Sequence, residues 1–116
     1  MTYTRTLVMD NLLPTCATAL LAAADVLASV RRAVGGRVTV DGRIDGAALE
    51  VEQFAAHGLA WTATYVEGLR QTLDWEMRLE AAGKSGELEQ LIVQAAFGEY
   101  LNQIVGGIGR PTSGTD

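Results

Sequence analysis

Apolar residues recur at steps of three and four along most of the chain. The first such run is Leu13, Cys16, Ala17, Leu20, Ala24, Leu27, Val30 and Val34, one stripe of a helix. Asp10 or Asn11 is placed to cap its free N–H groups, and Pro14 is tolerated in the first turn, where it leaves no intrahelical bond unmade. Arg31 and Arg32 set positive charge at the negative dipole end, and Gly35-Gly36 offers a left-handed stop. The spacing predicts a helix over 12–34.

From Arg37 to Asp45 the period changes to alternation about Asp41-Gly42, a pair that favours a tight turn with positive φ. This predicts a mini-hairpin or ordered loop within 36–45. Asp45 or Gly46 then opens a second helix expected over 46–82, with no proline inside and Gly83 at its C′ position. Its length of roughly 50 Å predicts a kink at Gly58 or Gly68, or an overhang beyond shorter neighbours. One stripe runs Ala55, Leu59, Thr62, Val66, Leu69, Leu73 and Met77; a second, more aromatic, runs Phe54, Trp61, Tyr65, Trp75 and Leu79. Ser85 is the expected cap of a third helix over 86–105, whose apolar set is Leu88, Leu91, Ile92, Ala95, Ala96, Leu101, Ile104 and Val105. Gly106, Gly107, Gly109 and Pro111 end it. The expected fold is all-α: an antiparallel three-helix bundle with one long central helix, one domain over 1–108 and a tail over 109–116.

Composition narrows the function classes. The chain has 116 residues, enough for one domain, with 48% hydrophobic residues and 20% charged, so it is neither disordered nor low-complexity. Its net charge of −5 disfavours phosphate backbones, and nucleic acid is not an expected partner. A single cysteine, Cys16, makes no internal disulfide, and a single histidine, His57, builds no metal cluster. The most lipid-like stretch, Leu12 to Val30, contains Asp25, and an aspartate near mid-bilayer costs roughly 2.5–3.5 kcal/mol. Asp10 and Asn11 stand where a signal peptide needs a basic lead. A soluble, cytoplasmic chain is the expectation.

Few residues suggest chemistry. Asp41-Gly42-Arg43-Ile44-Asp45 reads like the middle of a calcium loop, but Arg37, Thr39 and Ala48 then occupy ligand positions one, three and twelve. No metal site is expected. His57, with Glu50 or Glu99 as orienter, could serve as a general base, yet no nucleophile is placed beside it. The bland alternative is a histidine hydrogen-bonded at a helix seam. Glu99 is the odd carboxylate, set by helical spacing near the apolar face beside Phe97, Gly98 and Tyr100. His57, Trp61, Glu99 and Tyr100 thus form a candidate pocket. Phe54, Tyr65, Trp75 and Leu79 form a candidate interface with a second copy or another protein. Cys16 lies on the apolar stripe and reads as core. Gly107-Ile108-Gly109 follows a helix C-terminus, where the dipole repels phosphate.

The segment Phe54-Ala55-Ala56-His57-Gly58-Leu59-Ala60-Trp61-Thr62-Ala63-Thr64-Tyr65-Val66-Glu67, with Leu88-Glu89-Gln90-Leu91-Ile92 and Phe97-Gly98-Glu99-Tyr100-Leu101, carries a resemblance. Over roughly Val51 to Ile108 the chain resembles the helical N-terminal extension of acyl-CoA dehydrogenases of the methylsuccinyl-CoA dehydrogenase type. Helix one shares only its Ala- and Leu-rich character. In that family the extension precedes a flavin-binding body that holds the catalytic glutamate and acyl-CoA site. No counterpart of that body is present here, so the resemblance transfers no FAD, CoA or catalytic residue, and no cofactor is expected. It implies a small, non-catalytic helical accessory module, alone or within a larger enzyme, associating with itself or with a dehydrogenase body. The rival reading is a small helical enzyme or ligand-binding bundle using the pocket near His57, Trp61 and Glu99.

Overall fold

A computed structural model describes residues 7–106; the expected tail at 109–116 lies outside them. Four helices and a two-stranded hairpin make up the fold. They are α1 (Leu12–Val38), β1 (Thr39–Val40), β2 (Arg43–Ile44), α2 (Gly46–Val51), α3 (Gln53–Ala81) and α4 (Glu87–Gly106). The all-α class holds, but the expected long second helix is two.

Each boundary has a local cause. Asn11 occupies the N-cap position of α1 in left-handed geometry, φ 57°, and its side chain makes no capping bond. The expected cap is therefore absent, and only the Asn11 carbonyl serves the helix, accepting from the Thr15 N–H at 3.0 Å. Nor does Gly35-Gly36 stop α1. The helix runs four residues beyond the predicted end because Val34 and Val38, one turn apart, are both buried. Their burial offsets the roughly 0.5–1 kcal/mol that each helical glycine costs.

The hairpin forms as Asp41-Gly42 predicts. Both residues have positive φ, 53° and 78°, the pattern of a type I′ turn, and Thr39 pairs with Ile44 while Val40 pairs with Arg43. Asp45 then caps α2, its carboxylate accepting from the Ala48 N–H at 2.8 Å.

The expected kink falls at neither Gly58 nor Gly68. Helical geometry lapses instead at Glu52, φ −96° and ψ 24°, where the carboxylate meets Arg37 at the end of α1, 3.6 Å away. α2 buries none of its residues, so little packing holds it in line with α3. Gly83, φ 69°, closes α3 in a Schellman motif: its own N–H donates to the Glu80 carbonyl and the Lys84 N–H to the Leu79 carbonyl. Ser85 does not cap α4 as expected. The Gly86 N–H instead donates to the Glu89 carboxylate at 3.0 Å, half of a capping box, leaving Ser85 free to turn inward.

Residues along the long helices show that they run antiparallel. The start of α1 (Leu13, Pro14, Ala17) lies beside the end of α3 (Leu73, Met77, Glu80), while the end of α1 (Val30, Val34) lies beside the start of α3 (Ala55, Gly58, Thr62). α3 is central, touching α1 along one flank and α4 along the other. The core comprises Leu12, Cys16, Ala23, Val66, Leu69, Leu73, Val93 and Phe97. On α3 it follows the first predicted stripe through Leu73, but the expected next member, Met77, is exposed. The outer edge of α3 carries the predicted helical pairs, Glu67 with Arg70 and Gln71, and Asp74 with Arg78. Hydrogen bonds from Gln71 and Arg70 hold the Glu67 carboxyl below the usual range. Its small, exposed contribution to stability is present above the unfolded-state pKa and is lost as pH falls through the lower folded one.

The assembly is thin. It measures 68 × 36 × 16 Å with a radius of gyration of 18.4 Å, against about 13 Å for a compact chain of 100 residues. Domains normally bury their apolar surface between two packed layers, and a slab this flat leaves much of each helix uncovered. α1 shows it most clearly. Its most apolar window is long and apolar enough to cross a membrane, yet only 11% of that window is buried within the fold.

Candidate functional site

An aromatic ladder climbs α3 and crosses to α4. His57 and Trp61 are one turn apart, and the Trp61 indole N–H donates to His57 Nε2 at 2.6 Å. This bond fixes the tautomer of the ring: Nε2 accepts, so the proton sits on Nδ1. The Trp61 ring stacks on Tyr65, centroids 5.9 Å apart, and Tyr65 meets the edge of Tyr100 at 5.0 Å. Gly68 makes the crossing possible, because a Cβ there would stand 2.8 Å from the Tyr100 ring. The residue offered as a hinge is a seat for an aromatic side chain.

Three of the four predicted pocket residues, His57, Trp61 and Tyr100, thus join one ladder. The fourth does not. Glu99 is exposed, and its carboxylate accepts from Gln103 one turn on, at 3.1 Å. The expected burial of Glu99 is corrected by the register of α4, which turns Val93 and Phe97 inward and leaves Leu88, Ile92 and Val105 exposed. His57 is exposed too, not at a helix seam. Of the predicted interface residues, Phe54 is exposed at 52%, whereas Tyr65, Trp75 and Leu79 are half-buried, Trp75 packing on the core.

The buried carboxylate is Glu76. It is 1% exposed, on α3, one step beyond the buried series Thr62, Val66, Leu69, Leu73. Extending that series by three residues to Glu76, instead of by four to Met77, would have found it. The Ser85 hydroxyl donates to Glu76 Oε2 at 2.5 Å, and the Gln90 amide donates in turn to Ser85 Oγ at 3.3 Å. Among the described residues Glu76 Oε1 has no hydrogen-bond partner. The same glutamate lines a cleft of about 600 Å³ with Val8–Pro14, Glu80 and Gln90. The cleft's outer wall is the segment before α1, held by Gln94: the Met9 N–H donates to Gln94 Oε1 at 2.8 Å, and Gln94 Nε2 donates to the Leu7 carbonyl at 3.1 Å.

A smaller, almost wholly apolar cavity of about 230 Å³ lies between α1 and α4, lined by Met9, Leu12, Cys16, Phe97 and Leu101 among others. Burial pushes the Cys16 thiol up from its usual range. Alkylation needs the thiolate and access to it, so Cys16 should resist iodoacetamide at pH 8 in the native protein and react once urea unfolds it. Rapid labelling under native conditions, followed by intact mass, would show the α1–α4 contact to be open.

No family model matches the chain. Over 88 residues, 76% of its length, it is 58% identical to the (2S)-methylsuccinyl-CoA dehydrogenase of Cereibacter sphaeroides. The chain spans 16% of the length of that enzyme, so it resembles one segment of an acyl-CoA dehydrogenase. The likeness is wider than the aromatic words suggest. A stretch of 88 residues does not fit between Val51 and Asp116, so it begins within or before α1.

Proposed function

We propose that this chain is a non-catalytic helical association module, a slab whose apolar faces pack against a protein body of the dehydrogenase kind. The observation that carries the reading is the uncovered apolar surface of a fold only 16 Å thick. Leu21 on α1 is 70% exposed, Phe54 and Trp61 on α3 are 52% and 45% exposed, and Leu88 and Ile92 on α4 are 66% and 48% exposed. Surface of this kind on every long helix is what an interface requires and a monomer ordinarily avoids. The 58% identity to a segment of a much longer dehydrogenase supports a protein body, not a lipid, as the natural cover. Asp25, exposed midway along α1, is a further argument against a lipid, and the module is read as soluble and cytoplasmic.

Without such a body, the chain should cover itself. Burying side chains of this size is worth roughly 1.5–3 kcal/mol each, and a two-fold interface counts each of them twice, against about 4–15 kcal/mol lost on association. Sedimentation equilibrium near 100 µM is expected to give a mass above the 12.3 kDa monomer, lowered by Phe54→Glu or Ile92→Glu. A strict monomer across the whole range, insensitive to both substitutions, sinks the association reading.

A further inference from the structure

The geometry points to a guanidinium socket in the cleft between the segment before α1 and the α3–α4 turn: the cleft takes an arginine side chain, with Glu76 as its anchor. This stands on observations separate from the apolar faces, and it holds whether or not those faces are covered.

Three carboxylates line the cleft, Asp10, Glu76 and Glu80, and among the described residues no basic one does. Two of them are exposed and cost nothing to leave in water. Glu76 differs, because a carboxylate 1% exposed has given up its hydration and must recover it from donors inside the protein. It recovers half. Ser85 serves Oε2, fixed in turn by Gln90, and Oε1 is left without a partner among the described residues. Native proteins seldom leave such an atom unpaired, and the missing partner is a donor carrying positive charge.

The chemistry of the walls selects among cations. Among the described residues no group of three or more His, Cys, Asp or Glu could hold a metal ion, so the three carboxylates do not converge on one point. Acceptors spread over a cleft suit a planar group with five N–H donors better than a compact ammonium. The guanidinium is also the more weakly hydrated of the two, and enters a buried site at less cost. Two sources offer that group: an arginine of a separate protein, and Arg5 of this chain, three residues before Val8 in sequence and outside the described residues.

The test is a set of thermal melts on the full chain with N-acetylarginine amide, against uncharged N-acetylcitrulline amide at matched ionic strength. The arginine probe at ~20 mM is expected to raise Tm by ~2–5 °C, because a ligand of the native state stabilises it by mass action. A rise in the unaltered protein identifies a socket open to an external arginine. A rise seen only in Arg5→Ala identifies Arg5 as the resident group. Glu76→Gln is nearly isosteric and should abolish the response in either background, and Glu80→Gln, on the rim, should at least halve it, so the result does not hang on one variant folding. The proposal is overturned if neither the unaltered chain nor Arg5→Ala responds, if citrulline acts as well as arginine, or if Glu76→Gln responds in full.

Discussion

Leu69→Ala is expected to remove most of the stability of the protein, by about 3–5 kcal/mol. Leu69 is completely buried on the central helix, within the one cluster that joins α1, α3 and α4. The fold has no second layer to collapse into the space, so the cavity should persist, and a persistent cavity puts a Leu→Ala change at the costly end of its range. Single domains have about 5–15 kcal/mol in total, and a slab with few buried residues belongs at the low end. In urea the variant should lose its native baseline or shift its midpoint downward by ~2 M, given a slope near 1–3 kcal/mol per molar. Thr18→Ala, exposed on α1, is the control and should stay within about 0.5 kcal/mol. A Leu69→Ala midpoint equal to that of the control would mean that the core lies elsewhere.

Gly68→Ala should destabilise by about 1–2 kcal/mol, although alanine is the better helix former. On an open helix face the change would gain about 0.8–1 kcal/mol. Here the new methyl would sit 2.8 Å from the Tyr100 ring, which must swing away and give up its edge contact with Tyr65. Overpacking of that kind typically costs about 1–3 kcal/mol, and an aromatic pair adds about 0.5–1.5. The sign is diagnostic in a double-mutant cycle. With Tyr100→Ala already in place the obstacle is gone, and Gly68→Ala should then stabilise by close to its full helix propensity. If it lowers stability equally in both backgrounds, Gly68 is needed for its backbone and not as a seat for Tyr100.

Both substitutions concern residues whose neighbours in space are far apart in sequence, and there the sequence is hardest to read. Local chemistry was legible. Asp41-Gly42 announced its turn, Gly83 its Schellman close, and the Glu67 and Asp74 pairs their helical partners. The register of α3 was legible too, because Val66, Leu69 and Leu73 are each followed by a charged residue, Glu67, Arg70 and Asp74. α4 offers no such contrast. Apolar residues occur all around it, so periodicity does not choose between Val93 and Ile92, and a register through Ile92 turns Glu99 inward, whereas the fold turns it to solvent. Glu76 was overlooked for the opposite reason. A charged residue on a buried stripe looks like the end of the stripe until Ser85, nine positions on, returns to meet it. Where the helix breaks, at Glu52, the carboxylate meets Arg37 across the hairpin, and no local signal announces that pairing. The aromatic stripe was visible as residue types, but only the packing separates its ladder from its exposed members.

The Gln94 clamp on Leu7 and Met9 imposes an order on biosynthesis. One glutamine holds a peptide N–H and a carbonyl 85 and 87 residues upstream, so the start of the described fold is secured only after nearly the whole of it has left the ribosome. At ~5–20 residues per second that delay is about 4–17 s. Through it α1, with its long apolar window, emerges before any of the helices that pack on it has been made. Nascent chains in that condition are clients for whatever shields apolar segments at the ribosomal exit, and here the need begins with the first helix and lasts until the fourth.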